Sequence, residues 1–296
     1  MVGSAIFKAL KKNHYENVIV ANKKQLNLLD QKKTTNFLKN QKIDIVIIAA
    51  AKVGGIQANN KFRANFLYEN LQIQNNLIHG SYLAGIKRLI FLGSSCIYPR
   101  NCPQPIKEDY LLGGPLEFTN EPYAIAKIAG VKLCENYNRQ YKTNYLTLMP
   151  CNLFGENDNY DLFSSHFLPS IIRKTHEAKI KKINKINLWG NGKAKREIMH
   201  VDDLADACIF FLNKRVKESF INIGSGIEFC ISEYVNKVFE ILGYKGKAIY
   251  DKKMPNGTPQ KILDCSKAKQ YGWYPKIKFE DGLKKTYKSF LNEMKY

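Results

Sequence analysis

The sequence predicts a doubly wound α/β fold, in which helices cover both faces of a parallel sheet, with a smaller α/β domain attached. Short apolar segments typical of strands occur at 18–20, 43–50, 89–93, 145–149 and 220–223. Helical segments alternate with them, at 4–12, 62–85, 123–141 and 202–212. Because fully apolar strands separated by helices must be buried on both sides, this alternation favours a parallel sheet.

The later part of the chain predicts a second domain. Beyond Asn157 the alternation gives way to polar loops, a Trp189-Gly190-Asn191-Gly192 turn and a helical tail at 281–294. We therefore predict a Rossmann-like dinucleotide-binding domain and a substrate-binding domain, with the boundaries 1–156 plus 198–224 and 157–197 plus 225–296. Ligands of open α/β sheets bind at the carboxyl ends of the strands, so we expect the site in the cleft between the domains.

The composition argues against several classes of protein. The formal net charge is +20, but the lysines are spread along the chain, so we predict no nucleic-acid partner. No stretch approaches the ~20 apolar residues of a membrane helix and no signal sequence is recognisable, which predicts no membrane association and a cytoplasmic location. The seven cysteines are scattered without a C-x-x-C pair, which predicts neither a metal site nor a disulfide framework.

Ser94, Tyr123 and Lys127 form a candidate active site for reduction of a carbonyl. Ser94 follows the apolar segment at 89–93, and Tyr123 and Lys127 lie four residues apart, on one face of the next helix. A serine hydroxyl and a phenol can hold a carbonyl oxygen, and the phenol can give it a proton while a hydride arrives. We expect the Lys127 ammonium to lower the pKa of Tyr123 and favour the phenolate.

A tyrosine and a lysine with this spacing also occur by chance in a chain rich in both. Tyr274 and Lys278 match it, but a proline follows Tyr274 directly and the segment favours a loop. Tyr123 instead follows Asn120 and Pro122, which are typical of a helix cap and a first turn. The context therefore selects Tyr123.

Four segments resemble the extended short-chain dehydrogenase/reductases, in a match that covers nearly the full length. They are Ala49-Ala50-Ala51-Lys52-Val53-Gly54-Gly55-Ile56, Gly93-Ser94-Ser95-Cys96-Ile97-Tyr98-Pro99, Asn120-Glu121-Pro122-Tyr123-Ala124-Ile125-Ala126-Lys127 and Asn138-Arg139-Gln140-Tyr141. Within that family they are similar to enzymes that epimerise and reduce a GDP-linked 4-keto sugar. The resemblance implies that Ser94, Tyr123 and Lys127 are the reductase triad, that NADP(H) is the cofactor, and that two long helices form a homodimer.

The same resemblance implies that Cys96 and His166 are the acid/base pair that inverts C3 and C5 of the sugar. Carbons next to a ketone are acidified, and inversion requires removal of a proton from one face and delivery to the other. The residues alone favour a packed thiol for Cys96 and a helix cap for His166 in Ser164-Ser165-His166. Both interpretations stay open at this point.

Several segments are expected to hold the cofactor. Lys23, in Asn22-Lys23-Lys24, lies where dinucleotide folds meet the adenosine ribose, and a cation there favours NADP over NAD, with a solvated turn as the alternative. The resemblance adds Pro150-Cys151-Asn152-Leu153 as a strand end that contacts the nicotinamide. The complete set of cofactor residues so expected is Gly3, Lys23, Leu92, Gly93, Ser95, Lys127, Pro150, Asn152, Leu153 and His166.

For a GDP-sugar substrate, the resemblance implies contacts from Lys174, Trp189, Arg196 and Asn256. A guanidinium can grip the diphosphate, whereas a hairpin turn with solvated cations is the alternative for the segment around Arg196. The chain departs from the family at two of these positions. Lys174 stands where a second arginine is usual and keeps the charge, and Asn256 stands where an aspartate is usual.

The N-terminus matches only the end of a glycine-rich phosphate loop, in Met1-Val2-Gly3-Ser4-Ala5-Ile6. We therefore expect either a start upstream, with the first central strand, or a chain that binds its cofactor weakly. Two other functions stay open: another GDP-sugar epimerase/reductase, such as one that makes a dideoxy sugar, and a non-catalytic homologue that keeps the fold.

Overall fold

Strands and helices alternate along most of the chain. A computed structural model describes residues 1–254 and 257–294. The strands are β1 (Ile45–Ile48), β2 (Arg88–Leu92), β3 (Asn144–Pro150), β4 (Asn152–Phe154), β5 (Lys185–Trp189), β6 (Lys195–His200), β7 (Phe220–Ile223), β8 (Glu228–Cys230), β9 (Lys247–Asp251) and β10 (Gln260–Lys261). The helices are α1 (Val2–Lys12), α2 (Gln31–Asn40), α3 (Ile56–Lys61), α4 (Arg63–Leu83), α5 (Glu121–Tyr141), α6 (Phe167–Ile180), α7 (Val201–Leu212), α8 (Ile231–Leu242), α9 (Ser266–Gln270) and α10 (Phe279–Glu293).

The main sheet is parallel, in the order β1-β2-β3-β7. Its strands are almost wholly apolar, and Leu89, which pairs with Val46 and Tyr145, is completely buried. Helices α2, α4 and α5 pack together, and α1 packs against α7. Helices on both sides of a buried parallel sheet confirm the doubly wound α/β class.

The strand predicted at 18–20 is wrong. The segment makes no ladder with any described strand, and Ile19 and Val20 are 48% and 65% exposed. A short apolar run becomes a strand only where a neighbouring backbone and a buried face are available to it, and this segment has neither. The helix that carries Tyr123 and Lys127 and the strand at 220–223 are found where the sequence predicts them.

The second region is built from short strands and three helices, of which the sequence predicted only the last, the helical tail at 281–294. Strands β10, β6 and β4 form a small sheet to which β8 adds antiparallel, and β5 pairs with β9. Helices α6, α8 and α10 pack over them around a second apolar core that contains Ile172, Val238 and Phe290. Since β5 and β6 pair with different partners, the turn after Trp189 joins two sheets and is no hairpin.

The predicted domain boundaries stay a prediction. The first core extends beyond them, because Leu263 and Trp273 pack in it with the main sheet, and both lie in the range 225–296. Within the described part of the chain, no helix is both long and apolar enough to cross a membrane.

Candidate active site

A cavity of about 610 Å³ lies at the carboxyl ends of β1, β2 and β3. The last residues of these strands, Ile48, Leu92 and Pro150, line one side of it. Ile171 of α6 and Leu188 of β5, which belong to the second core, also line it. The cavity therefore lies between the two cores, at the edge of the sheet where the sequence predicts the ligand cleft.

The three residues predicted for reduction meet in this cavity. The Ser94 hydroxyl accepts a 3.2 Å hydrogen bond from the backbone N–H of Cys96, directly after β2. Tyr123 lies in the first turn of α5 and lines the same cavity as Ser94. One turn later Lys127 is only 3% exposed, and its Nζ atom donates a 2.7 Å hydrogen bond to the carbonyl oxygen of Leu92.

The charges of this triad differ from the expectation. Burial lowers the pKa of Lys127 to about 7, and burial raises the pKa of Tyr123, an effect that the neighbouring Ser94 side chain partly offsets. The predicted lowering of the Tyr123 pKa by Lys127 is therefore wrong. The reason is geometric, because the ammonium donates to the Leu92 carbonyl and lies 5.8 Å from the centroid of the Tyr123 ring. The phenol stays protonated, as a proton donor must be.

The N-terminus of helix α5 is not capped by the side chain that the sequence predicts. Asn120 occupies the N-cap position, but its side chain makes no capping hydrogen bond. Instead the carboxylate of Glu117 accepts hydrogen bonds from the backbone N–H of Asn120 and the hydroxyl of Thr119, at 3.1 and 2.5 Å. Pro122 lies in the first turn as predicted, and this turn directs Tyr123 into the cavity.

Cys96 and His166 both line the cavity, so the structure brings together the two residues expected to move protons. Cys96 lies in the 3₁₀ turn after Ser94, and its Sγ atom accepts a hydrogen bond of 3.5 Å from the Nζ atom of Lys261. His166 is the N-cap residue of α6, but its side chain makes no capping hydrogen bond. The surrounding protein and the Lys261 charge lower the pKa of His166.

Lys261, which the sequence did not identify as a site residue, also lines the cavity. It lies 165 residues from Cys96, in a chain with 46 lysines and arginines, so nothing local distinguishes it. Its position on β10, between β6 and the loop after Cys96, is a product of the tertiary fold.

The segment before His166 packs against two glycines, Gly54 and Gly55. The backbone N–H of Gly55 donates a 2.7 Å hydrogen bond to the carbonyl oxygen of Ser164. A Cβ atom on Gly55 would lie 2.3 Å from the carbonyl oxygen of Ser165, so only glycine fits without displacement. Asn59 donates from its side-chain amide to the carbonyl oxygen of Gly54 at 2.6 Å and holds the pair in place. Gly54 and Gly55 therefore position the residues beside His166.

Three of the four expected substrate residues line the far side of the cavity, and Asn256 lies outside the described residues. Lys174 on α6 donates a 2.9 Å hydrogen bond to the carbonyl oxygen of Asn187, and burial lowers its pKa. Arg196 on β6 is enclosed enough for burial to lower its pKa. Trp189 is 37% exposed, so its ring is available to a ligand.

Most of the expected cofactor residues line the same cavity, and Lys23 and Ser95 do not. Lys23 lies in an exposed turn, and the buried Ser95 faces a smaller neighbouring recess. The residues that do line it are Gly3, Leu92, Gly93, Lys127, Pro150, Asn152, Leu153 and His166. Their roles stay predictions.

The wall of the cavity fits a dinucleotide. The first turn of α1 borders it, and no side chain caps the amide groups there. A Cβ atom on Gly3 would meet nothing closer than 3.9 Å, so the wall there is open. Helix N-termini of this kind hold phosphates, and the Lys127 side chain lines the same cavity. Within residues 1–254 and 257–294, no group of three His, Cys, Asp or Glu side chains is arranged to hold a metal ion.

A doubly wound sheet with a serine, a tyrosine and a buried lysine at its carboxyl edge defines the class of dinucleotide-dependent oxidoreductases. The chain belongs to the NAD dependent epimerase/dehydratase family, whose model matches residues 1–224. It is 47% identical over 294 residues to the GDP-L-fucose synthase of Sinorhizobium fredii, covering 99% of this chain and 93% of that one. It is 41% identical to the GDP-L-colitose synthase of Yersinia pseudotuberculosis, over 99% and 96% of the two chains. The solved structure of a GDP-mannoheptose C4 reductase from Campylobacter jejuni with NADP bound is similar at a TM-score of 0.87 and 35% identity, over 98% of this chain and 95% of that one.

Proposed function

We propose that the protein converts GDP-4-keto-6-deoxy-D-mannose to GDP-L-fucose, by inversion at C3 and C5 followed by NADPH-dependent reduction at C4. The observation that carries the proposal is the presence of two chemical sets in one cavity. Ser94, Tyr123 and Lys127 suit reduction of a ketone, and Cys96 and His166 suit proton transfer at the carbons beside it. Similarity to a GDP-L-fucose synthase over nearly the full length supports the substrate, and the NADP-bound C4 reductase supports the cofactor.

Reduction uses the two hydroxyl groups at the strand end. Ser94 and Tyr123 both line the cavity, so the C4 carbonyl oxygen can lie between their hydroxyl groups. When bound, NADPH supplies the hydride that C4 receives. As negative charge grows on the oxygen, the protonated phenol of Tyr123 gives it a proton. Lys127 holds the helix to the strand end, and its side chain would hold the cofactor ribose when the cofactor is bound.

Inversion uses the same pair of hydroxyl groups in a second way. One member of the Cys96 and His166 pair takes the proton from C3 or C5, and the electron pair of the C–H bond moves to the C4 oxygen, giving an enolate. Ser94 and Tyr123 stabilise that oxygen by hydrogen bonds. The other member returns a proton to the opposite face, and the ketone forms again. The site therefore needs, on each face of the sugar, one residue that can accept or donate a proton.

The nucleotide part of the substrate occupies the side of the cavity lined by α6, β5 and β6. Arg196 and Lys174 carry positive charge there and suit a diphosphate, while the indole of Trp189 offers an apolar face. Asn256 is proposed as a guanosine contact on the resemblance alone. Gly3, Asn152 and Leu153 are proposed as cofactor contacts, together with the strand ends at Leu92, Gly93 and Pro150 and with Lys127 and His166. Lys23 is proposed as a contact of the adenosine ribose, and Ser95 as a cofactor contact beside the end of β2.

The test is product analysis by NMR after incubation with NADPH and each of two substrates, GDP-4-keto-6-deoxy-D-mannose and its 3-deoxy analogue. Formation of GDP-L-fucose from the first supports the proposal. Turnover of the 3-deoxy sugar alone would assign the protein to dideoxy-sugar synthesis, as in the colitose relative. NADPH binding without turnover of either sugar would indicate a non-catalytic homologue.

We also propose that the protein is a homodimer formed through α4 and α5. These helices pack against each other, yet four of their apolar side chains are exposed, namely Tyr68, Leu83, Ile125 and Tyr141, at 59%, 44%, 43% and 37%. A second copy would bury them. Sedimentation velocity should give twice the monomer mass. A cytoplasmic location is proposed as well, supported by the seven free thiols.

A further inference from the structure

The contact between Lys261 and Cys96 has no role in the chemistry described so far. The Nζ atom of Lys261 lies 3.5 Å from the Sγ atom of Cys96, within hydrogen-bonding distance for sulfur. Both side chains are half-buried and line the same cavity. An ammonium beside a thiol favours the thiolate, and the thiolate is the form of cysteine that can take a proton.

The fold holds Lys261 in place from two sides. On one side β10 pairs with β6, with Lys261 opposite Arg196. On the other side the carbonyl oxygen of the Gln104 side chain accepts a 2.9 Å hydrogen bond from the backbone N–H of Ile262, and the backbone N–H of Ile106 donates to the carbonyl oxygen of Ile262 at 2.8 Å. This second side is the chain that leaves Cys96. The segment that follows Cys96 and the strand that carries Lys261 are therefore joined by hydrogen bonds.

A buried glutamate also holds the segment next to Lys261 in place. Glu197 on β6 is 1% exposed and accepts hydrogen bonds from the backbone N–H groups of Leu263 and Gly226, at 2.9 and 2.7 Å. Burial raises the pKa of Glu197 to about 7, while the nearby Lys261 charge acts to lower it. Glu197 thus anchors the strand that carries Lys261.

The charged and titratable groups around Cys96 come from five elements. They are Lys261 of β10, Arg196 of β6, Tyr123 of α5, His166 at the start of α6 and Glu117 in the loop before α5. Two of these groups are cations and one is a carboxylate. Lys261 is the cation in contact with the Sγ atom.

We propose that Lys261 is a positioning residue for epimerisation, which orients Cys96 and stabilises its thiolate so that Cys96 is the base of the pair. The inference rests on the proposed function for the identity of the carbon acid. In the step, the C–H bond of the sugar breaks, an S–H bond forms at Cys96, and the electron pair moves to the C4 oxygen. The ammonium keeps its own proton throughout.

The first test needs no substrate. Alkylation of Cys96 by iodoacetamide is followed against pH by mass spectrometry of its peptide, in the wild type, Lys261→Met, Lys261→Gln and Lys261→Arg. We expect the midpoint of the rate to rise by about one pH unit in the Met and Gln variants and to return in the Arg variant. Lys269→Met, an exposed lysine on α9, is the matched control. An unchanged profile in folded Met or Gln protein would overturn the proposal.

The second test separates the two half-reactions. We expect Lys261→Met to slow solvent-deuterium exchange at C3 and C5 about tenfold, while oxidation of GDP-L-fucose by NADP⁺ stays within about twofold. Equal loss of both activities would mean that Lys261 supports the whole site and does not act through Cys96. If no variant or wild type acts on a GDP-sugar but the alkylation profile shifts, the proposed function fails while the Lys261–Cys96 coupling stands.

Discussion

The Nζ atom of Lys127 donates a 2.7 Å hydrogen bond to the carbonyl oxygen of Leu92, the last residue of β2. This contact fastens helix α5 to the strand end that carries Ser94, so the distance between the two hydroxyl donors depends on it. It also buries a cation, because Lys127 is 3% exposed and lies over the Phe91 ring at 4.6 Å from its centroid. The geometry that reduction needs is therefore obtained at a cost in folding free energy.

Lys127→Met should reveal that cost as a dependence of stability on pH. Burial lowers the pKa of Lys127 from 10.5 to about 7, so between these values the unfolded chain binds a proton that the folded chain does not. Wild-type stability therefore falls as the pH is lowered through this window and stays reduced below it. The advantage of the Met variant should grow by up to about 1.4 kcal/mol for each pH unit from about 10 down to about 7.

The measurement is urea unfolding of both proteins without cofactor at several pH values. Lys132→Met, on the same helix with its side chain 42% exposed, is the control and should show no such trend. A difference between wild type and Lys127→Met that does not vary with pH would contradict the prediction.

Tyr123→Phe should abolish oxidation of NADPH with little change in cofactor affinity, because only the proton donor is lost and the ring still packs. We expect turnover to fall by about 10²- to 10⁴-fold, as for loss of a positioned acid. Tyr274→Phe removes an equivalent hydroxyl from an exposed loop residue and should leave turnover unchanged. Steady-state kinetics measure turnover, and an NADPH titration measures cofactor affinity. A Tyr123→Phe protein that keeps more than about a tenth of wild-type turnover would refute the role of Tyr123 as proton donor.

Cys96→Ser should separate epimerisation from reduction, and His166→Gln should impair epimerisation. We expect deuterium exchange at C3 and C5 to fall by about 10²-fold or more in each, because each removes one proton group. Oxidation of GDP-L-fucose by NADP⁺ should survive in Cys96→Ser, whereas His166→Gln also removes a proposed cofactor contact and is expected to weaken both activities. Mass spectrometry of the recovered sugar measures exchange. Wild-type exchange in Cys96→Ser would make Cys96 a packed thiol.

The arrangement of Ser94, Tyr123 and Lys127 in one cavity could be predicted from the sequence, because it depends mainly on neighbouring segments of the chain. Ser94 lies at the end of an apolar strand, and Tyr123 and Lys127 share a helix face, so chain spacing alone sets most of their geometry. The pKa of Tyr123 could not be predicted in the same way. Burial raises this pKa, and the burial of the Tyr123 phenol depends on the tertiary fold.

The rest of the site depends on distant parts of the chain. Lys261 reaches Cys96 only because β10 fits between β6 and the loop after Cys96, and no pattern in the sequence encodes that pairing. The strand predicted at 18–20 is wrong because the segment has no neighbouring strand to pair with. Its apolar residues are typical of a strand, but a strand also needs a neighbour, which local composition cannot report.

Gly55→Ala should impair epimerisation through the backbone, without touching a reacting group. The added Cβ atom would lie 2.3 Å from the carbonyl oxygen of Ser165, so the segment before His166 must move. We expect deuterium exchange at C3 and C5 to fall about tenfold and the free energy of unfolding to fall by about 1–3 kcal/mol, while oxidation of GDP-L-fucose changes far less. Gly114→Ala, whose Cβ atom would meet Pro99 at an ordinary 3.4 Å, is the control. Exchange kinetics and urea unfolding measure the two effects, and a Gly55→Ala protein with wild-type exchange would show that His166 does not depend on this glycine.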